Sequence, residues 1–418
     1  MIPADTAEAQ ILELVMPLDS RRDVETISLQ AAAGRILSAS VVSPNDFPHW
    51  DNSAMDGYAV RYDDIAVASA TQPVELSVIE DIPAGHPPQK SVAAGQAARI
   101  FTGAMMPPGA DTVIMQEDTE RQGDHVKILT ASSPRAFVRE RGSYQRAGER
   151  VLSVGSIVAA TEVAILAAVQ QSQVDVYRQP RIAILSTGNE LITPEAPIQP
   201  GQIVDSNQYA LAALVRQMGA IPVCLGIIPD DPAALKTAIS QAIAEADMIL
   251  SSGGVSVGDY DYVDQILSDL GATLHIRSVA VKPGKPLTVA TIKGETAPQL
   301  YFGLPGNPVS ALVSFWRFVA PAIRKLSGQT GNWSAPFLTA RSRQDLKAGG
   351  KRETYLWGQL HTTPLGLEFS LAQGSHSSGN LINLAGTQAL AVVPIGATAI
   401  AAGATVRVLW VGTELQRG

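Results

Sequence analysis

Apolar positions recur along this chain in more than one rhythm, and the changes of rhythm divide it. MIPADTAEAQILELVMPL spaces its Ala, Ile, Leu and Val residues as one face of a helix. VVSPNDFP, further on, is an extended segment, because its two prolines stop helix continuation. From about 50 to 140 the apolar runs shorten. YAVRY, VELSVIE, RIFTG, DTVIMQ and HVKIL, parted by Gly and Pro, predict a small β-rich lobe. TEVAILAAV then predicts a helix capped by Thr161. If that helix packs on the N-terminal one, 1–49 and 141–177 are two halves of one domain and 50–140 is inserted between them.

Region 178–328 alternates buried strands with amphipathic helices. RIAILSTG is a strand, and DSNQYALAALVRQMG is a helix with Asp205 or Ser206 as its cap and Gly219 as its stop. PVCLGII, MILSS and YFGLPG are further strands. DDPAALKTAISQAIAEA, with Pro232 at its first position, YVDQILSDLG and PVSALVSFWRFVAPAIRKLSG are helices. This succession predicts βαβ units and a largely parallel sheet. Residues 329–418 (FLTARSR, TYLWGQL, LEFSL, ALAVVP, TVRVLWV) form a second small β domain. The expected fold class is multidomain α/β: a central doubly wound domain, an inserted β-rich lobe and a C-terminal β domain.

Composition narrows the chemistry. A chain of 418 residues exceeds one ordinary core, and 46% hydrophobic with 17% charged residues describes a packed globular protein. Its net charge of −8 argues against general nucleic-acid binding, yet allows lysines and backbone N–H groups to converge locally on an anion. The single cysteine, Cys224, excludes an internal disulfide and a cysteine-cluster zinc site, and its apolar surroundings predict a buried, inert thiol. None of the six histidines forms a zinc-like pair, and no Gly-x-Ser-x-Gly turn is present for a serine hydrolase. Acids at Asp5, Glu8 and Glu13 oppose a signal peptide. The longest apolar stretch, near 389–406, is broken by Pro394, Gly396 and Gly403, where a membrane span needs roughly 20 uninterrupted apolar residues. The expected location is the cytoplasm, with neither nucleic acid nor membrane as partner.

Four glycine-rich turns carry the candidate chemistry: STGNEL, SSGGVSVGDYDY, KPGKP and GLPGNP. Strand, glycine turn, helix is how an open α/β sheet builds an anion-binding crevice at its strand ends. Gly253, Gly254 and Gly258 would let the backbone approach an oxyanion, with hydroxyls from Ser251, Ser252 and Ser256 nearby. Asp259 and Asp261 are hard oxygen donors of the kind Mg²⁺ prefers, although Asp259 also suits a helix cap. Glu190 is either a crevice-mouth carboxylate or an ordinary first-turn acid. Asp231, directly before Pro232, fills the cap position, which leaves Asp230 as the better ligand. Lys282 and Lys285, three apart in a proline-bounded turn, suit a multiply charged oxyanion. Asp56–Gly57 reads most simply as a hairpin turn. Thr102, Gly103 and the acidic pair Glu117–Asp118 are unremarkable singly.

Taken together, DNSAMDGYAV, TGAMMPPGADTVIMQEDT, STGNEL, GQIVDSN, GIIPDDP, SSGGVSVGDYDY, KPGKP and GLPGNPVSA resemble the molybdopterin molybdenumtransferase (MoeA) family, which is similar to the E domain of gephyrin. The resemblance runs from about residue 2 to 415. It implies a homodimer of four-part subunits in which the partner's 50–140 lobe closes the cleft of the 178–328 molybdopterin-binding domain. It also implies a transferase that takes adenylylated molybdopterin, inserts molybdenum from molybdate and releases AMP with Mg²⁺, downstream of a molybdopterin adenylyltransferase. Carried over by motif, the catalytic positions are Asp56, Thr102, Glu190, Asp230, Asp261, Lys282 and Lys285. Asp56, Glu190, Asp230 and Asp261 would be the metal ligands. The substrate contacts would be Thr187, Gly188, Ser252, Gly253, Gly254, Gly258, Pro305, Gly306, Asn307, Pro308 and Ser375.

One position departs from the family pattern: in RAGER, Arg150 stands where an acid is usual, with Glu149 before it. Three alternatives stay open. They are the related adenylyltransferase, usually less than half this length; a gephyrin-like scaffold without turnover; and a tungstate-preferring relative.

Overall fold

In Arg181–Thr187 every residue after the first is buried, and its side chains divide between two cores. Ile182 and Ile184 pack with Leu211, Val215 and Leu250 on one face; Ala183 and Leu185 pack with Leu235, Ile239 and Ile249 on the other. Period-two alternation on a strand buried on both sides produces this division. The computed structural model describes residues 1–253, 262–294, 297–412 and 416–417. Gly254, Ser256, Gly258, Asp259 and Asp261 lie outside them.

Arg181–Thr187 belongs to a six-stranded sheet in the order Ile221–Ile228, Arg181–Thr187, Met248–Ser252, Pro298–Leu304, Pro286–Lys293, Thr273–Ser278. The first four run parallel, and Pro286–Lys293 runs antiparallel to both of its neighbours. The parallel expectation therefore holds for the βαβ half. The added pair is short-range: Thr273–Ser278 and Pro286–Lys293 fold back on each other across a seven-residue connection, needing no crossover helix.

The helices follow their signals with two corrections. Asn207–Gln217 receives its N-terminal hydrogen bond from Asp205, whose Oδ1 accepts from the Gln208 amide at 3.2 Å, and Gly219 takes φ +76° at its end. Asp231 caps Pro232–Glu245 by accepting from the Ala234 amide at 2.7 Å. Thr161, however, lies inside Ala160–Ala168, where its hydroxyl donates to Glu162 at 2.9 Å rather than capping. The helix starts two residues too early for Thr161 to be its cap. Cys224 is exposed, not buried, because Ile221–Ile228 is the edge strand of its sheet. The long helix predicted near 308–327 is Pro308–Ser314 and Ala320–Leu326 joined by a π segment, Phe315–Val319.

Glu353–Thr363, Gly366–Leu371, Phe337–Ser342, Thr405–Trp410 and Ala389–Val393 pair in sequence, and the last pairs again with the first, so they close a five-stranded barrel. Val281–Lys282 adds to its Glu353–Thr363 strand in parallel. The first lysine of KPGKP is thus held in the C-terminal sheet.

The chain forms two compact units: Met1–Ala39, Val154–Ala160 and Gln173–Gly418; and Ser40–Ser153 with Thr161–Ser172. The second contains a six-stranded sheet in the order Thr112–Met115, Gly57–Val60, Gln96–Ile100, Val74–Ile82, His125–Ile128, Thr119–Gln122. Tyr58, Val60 and Ile114 face one of its cores; Ala59, Ala98 and Val113 face the other. Asp56–Gly57 does not join two paired strands. Gly57 begins a central strand, and a Cβ there would lie 1.9 Å from the Ile114 carbonyl oxygen. Close approach, not a hairpin, requires this glycine.

Candidate active site

The parallel strands Arg181–Thr187, Met248–Ser252 and Pro298–Leu304 end together, Ser186 opposite Ser252 and Ser252 opposite Leu304. Their turns crowd one another. A Cβ on Gly253 would sit 2.3 Å from the Thr187 carbonyl oxygen, and one on Gly306 3.6 Å from the Gly253 Cα. Glycine at 253, with φ +88°, allows these backbones to meet. The hydroxyls of Ser186 and Thr187 are buried with no hydrogen-bond partner among the described residues. They are donors waiting at a strand end.

Two carboxylates stand beside that edge. Glu190 folds over Gly188, where an added Cβ would be 2.7 Å from its Oε2. Asp230 Oδ2 accepts from the Asn189 amide at 3.2 Å, tying the loop after Ile221–Ile228 to STGNEL. Among the described residues no group of three acid, histidine or cysteine side chains converges as a metal cage. Mg²⁺ does not require one, since it is commonly held by one or two carboxylates together with substrate phosphates and water. The oxygen donors of Glu190 and Asp230 fit that use.

On the far side of the Pro308–Ser314 N-terminus lies a cavity of about 530 Å³. Lys282, Lys285, Lys347 and Arg352 line it, with Asn307, Ser310, Thr354 and the backbone turn at 376–378. Its lining holds four cations and no carboxylate, which suits a compact oxyanion. Arg352 donates to the Val281 carbonyl at 3.2 Å, so guanidinium and lysine turn are fixed to each other. Gly284 is in contact with Ser314, whose Oγ would be 2.9 Å from an added Cβ. Burial pushes the pKa of His376 down, leaving that wall neutral. Tyr355 also lines the cavity; burial pushes its hydroxyl pKa up, and that hydroxyl hydrogen bonds to Glu353 and accepts from Arg317 Nε at 3.0 Å.

Asn307 lines the cavity and directly follows Gly306 in the crevice turn. Crevice and cavity are therefore adjacent. Lys282, Lys285 and Asn307 face the cavity; Thr187, Gly188, Ser252, Gly253 and Gly306 form the crevice; Glu190 and Asp230 flank it. Pro305 and Pro308 bracket the shared turn. Ser375 does not line the cavity. Its carbonyl accepts from Asn380 and Asn383, and the next three residues line it instead. Lys347, His376 and Ser310 carried no turn signal in the sequence, and Arg352 lies two residues before the segment TYLWGQL read as a strand.

Asp56 and Thr102 meet in the other unit. The Thr102 amide and hydroxyl each donate to Asp56 Oδ1 at 2.7 Å. These bonds hold the Asp56 carboxyl below the usual carboxylate range, against slight desolvation and with help from Arg99. Glu149 accepts from the Gln145 side chain and the Arg146 amide, each at 3.1 Å, while Arg150 begins a strand paired with Val41–Val42.

Residues 2–169 match the model of the MoeA N-terminal region (domains I and II), 183–325 that of a probable molybdopterin binding domain, and 339–411 that of the MoeA C-terminal region (domain IV). The chain is 59% identical to a molybdopterin molybdenumtransferase of Nostoc over 97% of its own length and 92% of that protein's. It is 36% identical to the Haemophilus influenzae protein of the same name over 90% and 91%. A crystal structure described as a molybdopterin biosynthesis MoeA protein from Pyrococcus horikoshii superposes with a TM-score of 0.83 at 29% identity, covering 98% of this chain and all of that one. This chain belongs to the molybdopterin molybdenumtransferase (MoeA) family.

Proposed function

We propose that this transferase of molybdenum cofactor biosynthesis binds adenylylated molybdopterin in the strand-end crevice and molybdate in the adjoining basic cavity. Molybdenum is then inserted into the dithiolene as AMP is released. The observation that carries this reading is the adjacency through Asn307: a glycine-turn crevice and a cavity lined by Lys282, Lys285, Lys347 and Arg352 share one turn. A phosphorylated ligand and a free oxyanion can each be held, side by side.

The chemistry balances without redox change. Water adds to the phosphoric anhydride, and the P–O bond to the adenylyl group breaks, so AMP leaves. The two dithiolene sulfurs replace one oxide on molybdate, and their protons leave with that oxide as water. Lys282, Lys285 and Arg352 hold the dianion by charge and hydrogen bonds while the sulfurs approach. The backbone at Gly253 and Gly306, with the hydroxyls of Ser252 and Thr187, orients the pterin phosphate. Mg²⁺, when bound by Glu190 and Asp230, would neutralise charge developing on the pyrophosphate. Asp261, together with Asp56 of the partner subunit, is proposed to complete that ligand set. The same reading makes the protein a cytoplasmic homodimer that receives its substrate from an adenylyltransferase.

The test is to incubate purified protein with adenylylated molybdopterin, Mg²⁺ and molybdate and to follow AMP by chromatography. AMP release that depends on both ions is expected. The absence of molybdate-dependent AMP contradicts the reading and leaves the adenylyltransferase and scaffold alternatives.

A further inference from the structure

We propose that Asn207 is a positioning residue that fixes the opening of the strand-end crevice, and through it the affinity for the pterin substrate. The inference rests on the reading that this crevice receives molybdopterin. Asn207 Nδ2 donates to Ser252 Oγ at 2.6 Å and to the Gly306 carbonyl at 2.8 Å. Ser252 ends the strand Met248–Ser252 and Gly306 lies in the turn after Pro298–Leu304, so one amide group cross-links two neighbouring strand ends. Asn207 is only 8% exposed, and neither of these bonds goes to its own helix.

Its footing is also fixed. Next to it, Gln208 Oε1 accepts from the Gly226 amide at 2.9 Å, which anchors the helix start to the edge strand Ile221–Ile228. Asp205 caps the same helix start through the Gln208 amide. The segment 205–208 thus ties together the ends of three strands. Backbone spacing in the crevice is already at contact distance around Gly253, so a small separation of the turns alters how closely a phosphate meets the N–H groups. Asn207 acts through Ser252 and Gly306, and the basic cavity is held by other contacts, including Arg352 to Val281. Only one of the two ligand sites should respond.

The test compares wild type, Asn207→Ala and Asn207→Asp, titrated separately with molybdopterin and with molybdate, alongside thermal melts. Aspartate keeps the volume but lacks both donors and turns a carboxylate oxygen toward the Gly306 carbonyl. Molybdopterin binding should weaken about tenfold in the alanine variant, the effect of one or two lost hydrogen bonds, and at least as much in the aspartate variant. Molybdate affinity should stay within about twofold of wild type, as additivity of separate sites requires. Asn207→Ser, which keeps one short donor, replaces the alanine variant if that chain does not fold and should show a smaller loss confined to molybdopterin. Unchanged molybdopterin affinity overturns the proposal, as does equal weakening of both ligands with a lowered melting temperature. If wild type itself fails to bind molybdopterin, the functional reading is wrong and this inference falls with it.

Discussion

Asn189 and Asp230 hold each other reciprocally. The Asn189 amide donates to Asp230 Oδ2 at 3.2 Å, and the Asp230 amide donates to Asn189 Oδ1 at 3.1 Å. Each side chain thus satisfies the other's backbone, and two loops that begin 41 residues apart are locked into one rim. Asp231 takes the cap of the following helix, so Asp230 is left to orient toward this partner.

Asn189→Ala removes one of those two bonds and frees the Asp230 loop. The Mg²⁺ concentration giving half-maximal AMP release should rise several-fold, in the range of one net hydrogen bond. The maximal rate at saturating Mg²⁺ should change less. An unchanged Mg²⁺ curve separates this rim from the metal.

Asp56 gives a titration to follow. Its carboxyl is held low first by the Thr102 amide, then by the Thr102 hydroxyl. Because the folded value is depressed, its contribution to stability is complete above the unfolded carboxylate value and is lost as pH falls through the lower folded one. Thr102→Val deletes the hydroxyl and keeps the amide. Carbon NMR of the Asp56 carboxyl should show its midpoint moving up toward the ordinary range while remaining below it. A midpoint that does not move contradicts the assignment of the hydroxyl bond.

Arg317 sits fully buried within the π segment, paired with Asp5 at 2.5 Å and Glu8 at 2.6 Å and bonded to Tyr355. Glu8 is itself 8% exposed. Arg317→Ala strands that carboxylate and should cost about 3–5 kcal/mol in chemical denaturation, the range for breaking a buried pair from one side. Glu8→Gln in the same background should recover part of the loss. Loss below about 1 kcal/mol means water replaces the guanidinium.

Cys224 is exposed on the edge strand, yet desolvation raises its thiol pKa, with Arg216 opposing and Asp205 adding to the shift. An aromatic disulfide reagent should react with one thiol per folded chain, slowly at neutral pH and faster as pH rises past the ordinary thiol range. Reaction only after denaturation contradicts the exposed placement.

The sequence revealed most where backbone rules act locally. Asp231 before Pro232, Gly219 after its helix and the apolar run in RIAILST each name their own structure, and each is found so. The crevice was legible because glycine turns after strands carry their chemistry in the backbone. The basic cavity was legible only in part. Lys282 and Lys285 announce themselves by spacing, but Arg352 joins them because Glu353–Thr363 accepts Val281–Lys282 as a parallel neighbour, and Lys347 ends a separate short strand paired with Ala399–Ile400. Such a long-range pairing leaves no mark in either segment. Cys224 was misread for a related reason: an apolar run signals a strand but not whether the strand lies at the edge of its sheet.

If oxyanion and pterin nucleotide occupy adjoining sites of one centre, AMP release in a single turnover must depend on molybdate through the residues of the basic cavity. Measured against molybdate concentration, wild type should show saturable dependence, and Arg352→Ala a curve displaced about tenfold or more to higher molybdate with a similar plateau, as loss of a charge-assisted contact requires. Superimposed curves for the two proteins, or release independent of molybdate in wild type, contradict this arrangement.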